Sequence, residues 1–227
     1  MGTHKMSVLK MGIVGNKGGT GKTFIAVHIA YAINELRKKV LLIDTDYGQY
    51  SSLHWIFGRE GKYEPHKVYK YSEYLYCVGI ERNDVDKQIG KYENQGYEYI
   101  VIDGRPEPEI TAGIISAVQG HRIIMPIPAE AEAIKQAKEL WELIERRKVD
   151  VRKYAIVNKM TQARISQTLY NEVEKMGFVI LTVLTRNDRV LIAEKECIPL
   201  WKVRFGGSIK HGEMLKEIAR WFVMGWL

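Results

Sequence analysis

Several absences narrow the possibilities before any motif is read. No apolar run in the 227 residues reaches the ~18 that a bilayer-spanning helix needs. Residues 1–10 carry no apolar stretch of the kind a secretory signal requires, so the expected compartment is the cytoplasm. Cysteine is scarce. Cys77 and Cys197 stand far apart, in neither a CxxC pair nor a zinc-type spacing, and read as two reduced, partly buried thiols. No internal repeat, low-complexity tract or linker divides the chain. Apolar content is ordinary for a globular protein, so one α/β domain over residues 1–227 is expected.

Charge is present but unevenly placed. The formal net charge is +7. Residues 1–120 hold 15 Lys/Arg against 14 Asp/Glu, whereas residues 121–227 hold 19 against 13. An excess confined to one half suits a polyanionic partner such as DNA or an acidic membrane; it also suits simple solubility.

Short apolar runs alternate with helical spacing. Strands are expected at 8–14, 40–43, 74–78, 99–102, 122–127, 154–157 and 178–184. Helices are expected at 22–37, 51–57 (with a serine cap), 84–94, 110–118, 129–148, 162–176 and 212–227. The repeated β-α-β order predicts a mostly parallel twisted sheet with helices on both faces. Residues 58–80, rich in Tyr, Lys and Gly, are the least legible stretch.

Between the first expected strand and helix lies Lys17-Gly18-Gly19-Thr20-Gly21-Lys22-Thr23. A Gly-rich turn in that position is a phosphate-binding P-loop. Glycines let successive backbone N–H groups point inward at phosphate oxygens, and the helix N-terminus adds a positive dipole end. Lys22 would reach the β- and γ-phosphates, and Thr23 would offer its hydroxyl to Mg2+. Phe24 follows within the candidate nucleotide-binding stretch. Two apolar runs end in acid, Leu41-Leu42-Ile43-Asp44-Thr45-Asp46 and Tyr99-Ile100-Val101-Ile102-Asp103. Carboxylates at strand ends beside a P-loop suit a metal and water site.

The loop departs from the general Walker A pattern, with Asn16 where Gly would stand and a lysine at position 17. The K-G-G-x-G-K-T form resembles the deviant Walker A motif of the ParA/MinD group, which also includes the nitrogenase iron protein and the arsenical pump ATPase. The resemblance runs from Val8 to about Glu217, is closest to ParA partition ATPases, and is weakest at residues 58–95. It implies that Lys17 reaches across a dimer interface to the ATP of the other subunit. Asp44-Thr45-Asp46 is similar to the switch I stretch of ParA proteins, which implies that Asp46 positions the attacking water while Asp44 and Asp103 hold Mg2+ through water. The catalytic set is then Lys17, Lys22 and Asp46. Two departures stand out: Tyr47-Gly48-Gln49 where ParA proteins have Pro-Gln, and Asp103-Gly104-Arg105-Pro106 where D-T-P-P is usual. Arg105 is open to contact with phosphate, with a partner or with solvent alone, the last being the favoured reading.

In this family an Asn at the position of Asn158 bonds the adenine edge, which its amide can do as both donor and acceptor. The stretch from Thr185 to Glu194 resembles the P-R-N-x-x-L-x-E-A segment of ParA proteins, which places Thr185 near the base. The same resemblance implies sequence-blind DNA binding by basic residues of the C-terminal part, here Arg186, Arg189, Lys195, Lys202, Arg204 and Lys210. A homodimer formed on ATP binding, a ParB-like DNA-binding partner and a cytoplasmic, nucleoid-associated location follow as expectations. A MinD-like alternative would bring the end of the chain, with Trp221, Phe222 and Trp226, to a membrane, although an apolar face on a terminal helix is more often core. A biosynthetic or metal-centre maturation ATPase on the same fold is the other alternative.

Overall fold

The computed structural model describes residues 8–128, 133–160, 167–203 and 208–227. The strands are β1 (Leu9–Ile13), β2 (Val40–Asp44), β3 (Val68–Lys70), β4 (Leu75–Gly79), β5 (Tyr99–Asp103), β6 (Arg122–Pro128), β7 (Arg152–Met160) and β8 (Val179–Thr185). The helices are α1 (Lys22–Glu35), α2 (Ser51–Phe57), α3 (Val85–Gly90), α4 (Pro108–Ala117), α5 (Ala133–Arg147), α6 (Gln167–Lys175), α7 (Arg189–Lys195) and α8 (Ser208–Val223), with a 3-10 turn at Leu200–Lys202.

All of the strands join one sheet in the order β3-β4-β2-β5-β1-β6-β7-β8. Every pairing is parallel except β3 with β4. The expected fold class is therefore the observed one. Period-two alternation divides the strands between two cores. Met11, Ile13, Leu42 and Val101 face α1, α2 and α8, while Leu41, Ile43, Ile100 and Ile102 face the layer of α3 to α6. Strands buried on both faces read as continuous apolar runs, which is why they were legible.

Several boundaries differ from the sequence expectations. Helix α3 stops at Gly90, four residues short, because residues 91–96 turn back through Gly96 at φ 81°. Helix α8 stops at Val223 because Gly225, at φ 75°, lets the Trp226 N–H return to the Trp221 carbonyl at 2.9 Å. The serine cap on α2 is not formed. Tyr50 precedes the helix in the left-handed region, and the Ser51 hydroxyl donates to Asp46 instead. Strand β7 is longer than expected and contains Asn158. Strand β3 and helix α7 had no clear apolar period, since β3 is a short exposed edge and α7 buries only Ala193 fully. Residues 129–132 and 162–166 of the expected fifth and sixth helices lie outside the described residues.

Helix α1 is buried almost all round, between the sheet and α8. His28 stands at its centre with no exposure. The Leu200 N–H donates to His28 Nε2 at 3.0 Å, so Nδ1 carries the proton and donates to the Phe24 carbonyl at 2.7 Å. Phe24, Trp55 and Trp201 crowd the same ring. Burial lowers its pKa to about 4. The unfolded chain therefore takes up a proton first, and this site loses stability as pH falls from about 6.5 towards 4, by roughly 1.4 kcal/mol per unit. The neutral, non-titrating variant His28→Gln should be less stable than wild type at pH 7. In urea melts that gap should shrink by about 2 kcal/mol between pH 7 and pH 4.5; a gap independent of pH would mean that His28 is not buried neutral.

Candidate functional site

The carboxyl ends of β1, β2 and β5 lie side by side, and the chain leaves each of them into a loop that carries the motif residues. Residues 14–21 link β1 to α1. In register, Asp44 at the end of β2 pairs with Asp103 at the end of β5, which in turn pairs with Ile13 of β1. In open parallel sheets this edge, where neighbouring crossovers part, is where ligands bind.

The loop has the backbone a phosphate cradle requires. Gly19 and Gly21 take φ of 71° and 96°, in the left-handed region. Gly21 is also in close contact with β7: a Cβ there would run into the Asn158 amide. The buried Asn158 donates from Nδ2 to the Thr20 carbonyl at 2.8 Å. The residue expected at the base thus also braces the cradle. Gly18 and Gly19 are exposed, Lys17 is half-buried, and Lys22 is buried. The Lys22 ammonium donates to the Lys17 carbonyl at 2.7 Å. Burial lowers its pKa to about 8 against the pull of Asp103 and Asp46. A buried cation aimed at the loop gains from any anion placed there.

Asp44 and Asp103 are buried, at 1% and 2% exposure. Asp44 is held by backbone: Oδ1 accepts the Asp46 N–H at 2.8 Å, and Oδ2 accepts those of Ser52 at 2.7 Å and Leu53 at 3.3 Å. It thereby caps α2, which is what the Ser51 hydroxyl was expected to do. Asp103 Oδ2 accepts the Ser52 hydroxyl at 2.7 Å. Its Oδ1 is buried with no hydrogen-bond partner among the described residues. Burial raises the pKa of both carboxyls, and the Asp103 charge raises Asp44 further; hydrogen bonds from Ser52 and Thr23 partly restrain Asp103. Two buried acids and one orphaned oxygen, with the Thr23 hydroxyl alongside, are a donor set that a hard cation fits.

Asp46 lies just outside this pair. Arg105, expected to face solvent, instead forms an ion pair with it, NH1 to Oδ1 at 2.8 Å, with both side chains 17% exposed. Its sequence neighbours are themselves pinned. The Thr45 hydroxyl donates to the Asp103 carbonyl at 2.8 Å and accepts the Arg105 N–H at 3.0 Å.

A cavity of about 590 Å³ opens beside the cradle, lined by Gly21, Phe24, Asn158, Thr185, Leu200 and His211, among others. Thr185 donates its N–H to His211 Nε2 at 3.1 Å, and Asn187 meets His211 Nδ1 at 3.1 Å. His211 was missed from sequence. It comes from α8, far along the chain, and no spacing ties it to the motifs.

The basic residues expected to meet DNA do not form one set. Arg186 is well exposed and pairs loosely with Asp188 at 3.5 Å. Lys195, Lys202 and Lys210 are exposed. Arg189 is half-buried, and its NH1 is shut away from solvent without a hydrogen-bond partner among the described residues. Arg204 lies outside the described residues. At the far end, α8 packs Leu215, Ile218, Ala219 and Phe222 into the core, leaving Met224 and Trp226 exposed. No helix among the described residues is long and apolar enough to cross a membrane.

Gly104, next to Asp103, tests how tightly this site is assembled. Its N–H donates to the Ile13 carbonyl at 3.0 Å, and a Cβ would stand 2.5 Å from that same oxygen. Because the obstacle is backbone, Gly104→Ala should cost about 1–3 kcal/mol, read as a shift in the denaturant midpoint. No shift would show that β1 and β5 separate easily at their carboxyl ends.

The family model for the CobQ/CobB/MinD/ParA nucleotide binding domain matches residues 11–200. The septum site-determining protein MinD of Thermotoga maritima is 25% identical over 92% of this chain and 85% of its own length. Among solved structures, the MinD cell division protein of Aquifex aeolicus superposes with a TM-score of 0.75 at 21% identity, covering 96% of this chain and 97% of that one. A putative plasmid partition protein of Borrelia burgdorferi bound to AMPPNP gives 0.71 at 18% identity, covering 93% and 98%. With its cradle, its acidic strand ends and a family match over most of its length, the chain belongs to the CobQ/CobB/MinD/ParA family of nucleotide-binding domains.

Proposed function

We propose that this protein is a Mg2+-dependent ATPase switch that dimerises on ATP, binds DNA without sequence preference and acts in plasmid or chromosome partitioning. One observation supports this above the rest: a K-G-G-x-G-K-T cradle ends a central strand and faces two buried strand-end carboxylates. In this reading the N–H groups of residues 18–23 hold the phosphates. Lys22 exchanges the Lys17 carbonyl for a phosphate oxygen. Phe24, Asn158 and Thr185 line the space for the base.

Thr23 would offer its hydroxyl to Mg2+, and Asp44 and Asp103 would hold the ion through water; the orphaned Asp103 Oδ1 is an acceptor free for that. When bound, the metal neutralises charge on the phosphates. Asp46 orients the attacking water, and Lys17 reaches the ATP of the second subunit. A cation supplied in trans ties hydrolysis to dimerisation. The exposed Arg186 and Lys202, with Arg204 beyond the described residues, supply phosphate contacts to DNA, and a ParB-like protein stimulates turnover.

A second reading, a membrane-cycling ATPase, draws on the MinD relative and on Trp226 and Met224, which are 71% and 57% exposed just beyond α8.

Fluorescence anisotropy of a labelled random duplex separates the two. The Asp46→Ala protein, slowed in turnover, should bind with ATP–Mg2+ far better than with ADP–Mg2+, and binding should fall steeply with salt. Lys22→Ala should lose the nucleotide dependence. No DNA binding in any nucleotide state, together with ATP-dependent binding to anionic vesicles that is lost on deleting residues 221–227, would replace partitioning with the membrane cycle.

A further inference from the structure

Arg105 occupies a position where the resembling sequences carry an uncharged residue, and the proposed function gives it no task. Its contacts are specific. NH1 meets Asp46 Oδ1 at 2.8 Å and the Tyr47 carbonyl at 3.3 Å, and Nε meets Glu107 Oε1 at 2.5 Å. The other Asp46 oxygen, Oδ2, accepts the Ser51 hydroxyl at 2.9 Å. Both oxygens of Asp46 are therefore engaged. The ion pair joins the loop after β2 to the loop after β5, two segments that otherwise meet through Thr45.

We propose that Arg105 is a positioning residue that acts through Asp46: it latches Asp46 to the loop after β5, and hydrolysis runs only when that latch opens. The inference rests on the reading of Asp46 as the group that orients water. A single guanidinium N–H on a poorly solvated carboxylate makes a charge-assisted bond. It draws negative charge away from the oxygen that a water would approach. Glu107 holds the guanidinium from the other side, so the latch is poised between two carboxylates.

The test separates nucleotide affinity from turnover. Single-turnover hydrolysis of ATP–Mg2+ and the Kd of a fluorescent ATP analogue are measured for wild type, Arg105→Ala, Arg105→Lys, Asp46→Ala and the double variant Arg105→Ala/Asp46→Ala. The latch predicts that Arg105→Ala raises the hydrolysis rate about 3- to 10-fold, as expected for a charge-assisted bond of that strength, with Kd within about 2-fold of wild type. Arg105→Lys should return the rate towards wild type. In the Asp46→Ala background, removing Arg105 should change nothing further. Arg105→Gln, which keeps the stem and a donor, replaces the alanine variant if that variant does not fold. A rate that stays level or falls in Arg105→Ala overturns the latch while leaving the role of Asp46 standing. A rise that persists without Asp46 overturns it too. If Asp46→Ala alone hydrolyses ATP like wild type, the reading of Asp46 fails and the latch fails with it.

Discussion

Asp44 and Asp103 stand in register at the ends of two adjacent strands, both out of water. Two carboxylates so placed repel each other and have lost their hydration, so everything around them must repay that cost. Three backbone N–H groups are turned onto Asp44, and in being turned they start α2. Ser52 bridges the pair by donating its side chain to Asp103 while its backbone donates to Asp44. The buried Lys22 feels Asp103 and Asp46 from the other side. The end of the sheet is thus organised around buried acidic groups, an environment that favours a cation.

The rest of the architecture fixes this arrangement in space. The central strands β1, β2 and β5 are buried on both faces, so they present their ends without freedom to shift. Helix α1, which starts at the cradle, is held along its length by the sheet, by α8 and by the His28 bonds to Phe24 and Leu200. Asn158 ties the cradle to β7, which carries one wall of the neighbouring cavity. The cradle, the acidic strand ends and the neighbouring cavity are therefore coupled through short covalent paths and single hydrogen bonds.

Much of this was legible in the residues. Apolar runs ending in Asp44 and Asp103 announced adjacent strands that end in acid, and the spacing from Lys17 to Thr23 announced the loop. What was not legible depended on partners distant in sequence. Arg105 reads as an exposed arginine until the fold brings Asp46 beneath it. His211 has no spacing to Thr185 that a sequence pattern would reveal. Arg189 belongs to a basic stretch, yet its guanidinium turns inward. The short edge strand β3 and the weakly buried α7 lack the periodicity that burial imposes, so only tertiary context defines them.

The account stands or falls on whether ATP, through this site, brings two copies together. Sedimentation velocity of the Asp46→Ala protein at micromolar concentration, with ATP–Mg2+ and separately with ADP–Mg2+, measures that directly. The account predicts a dimer with ATP, a monomer with ADP, and a monomer in both when Lys17 is replaced by Ala. A protein that binds ATP and remains monomeric would contradict it.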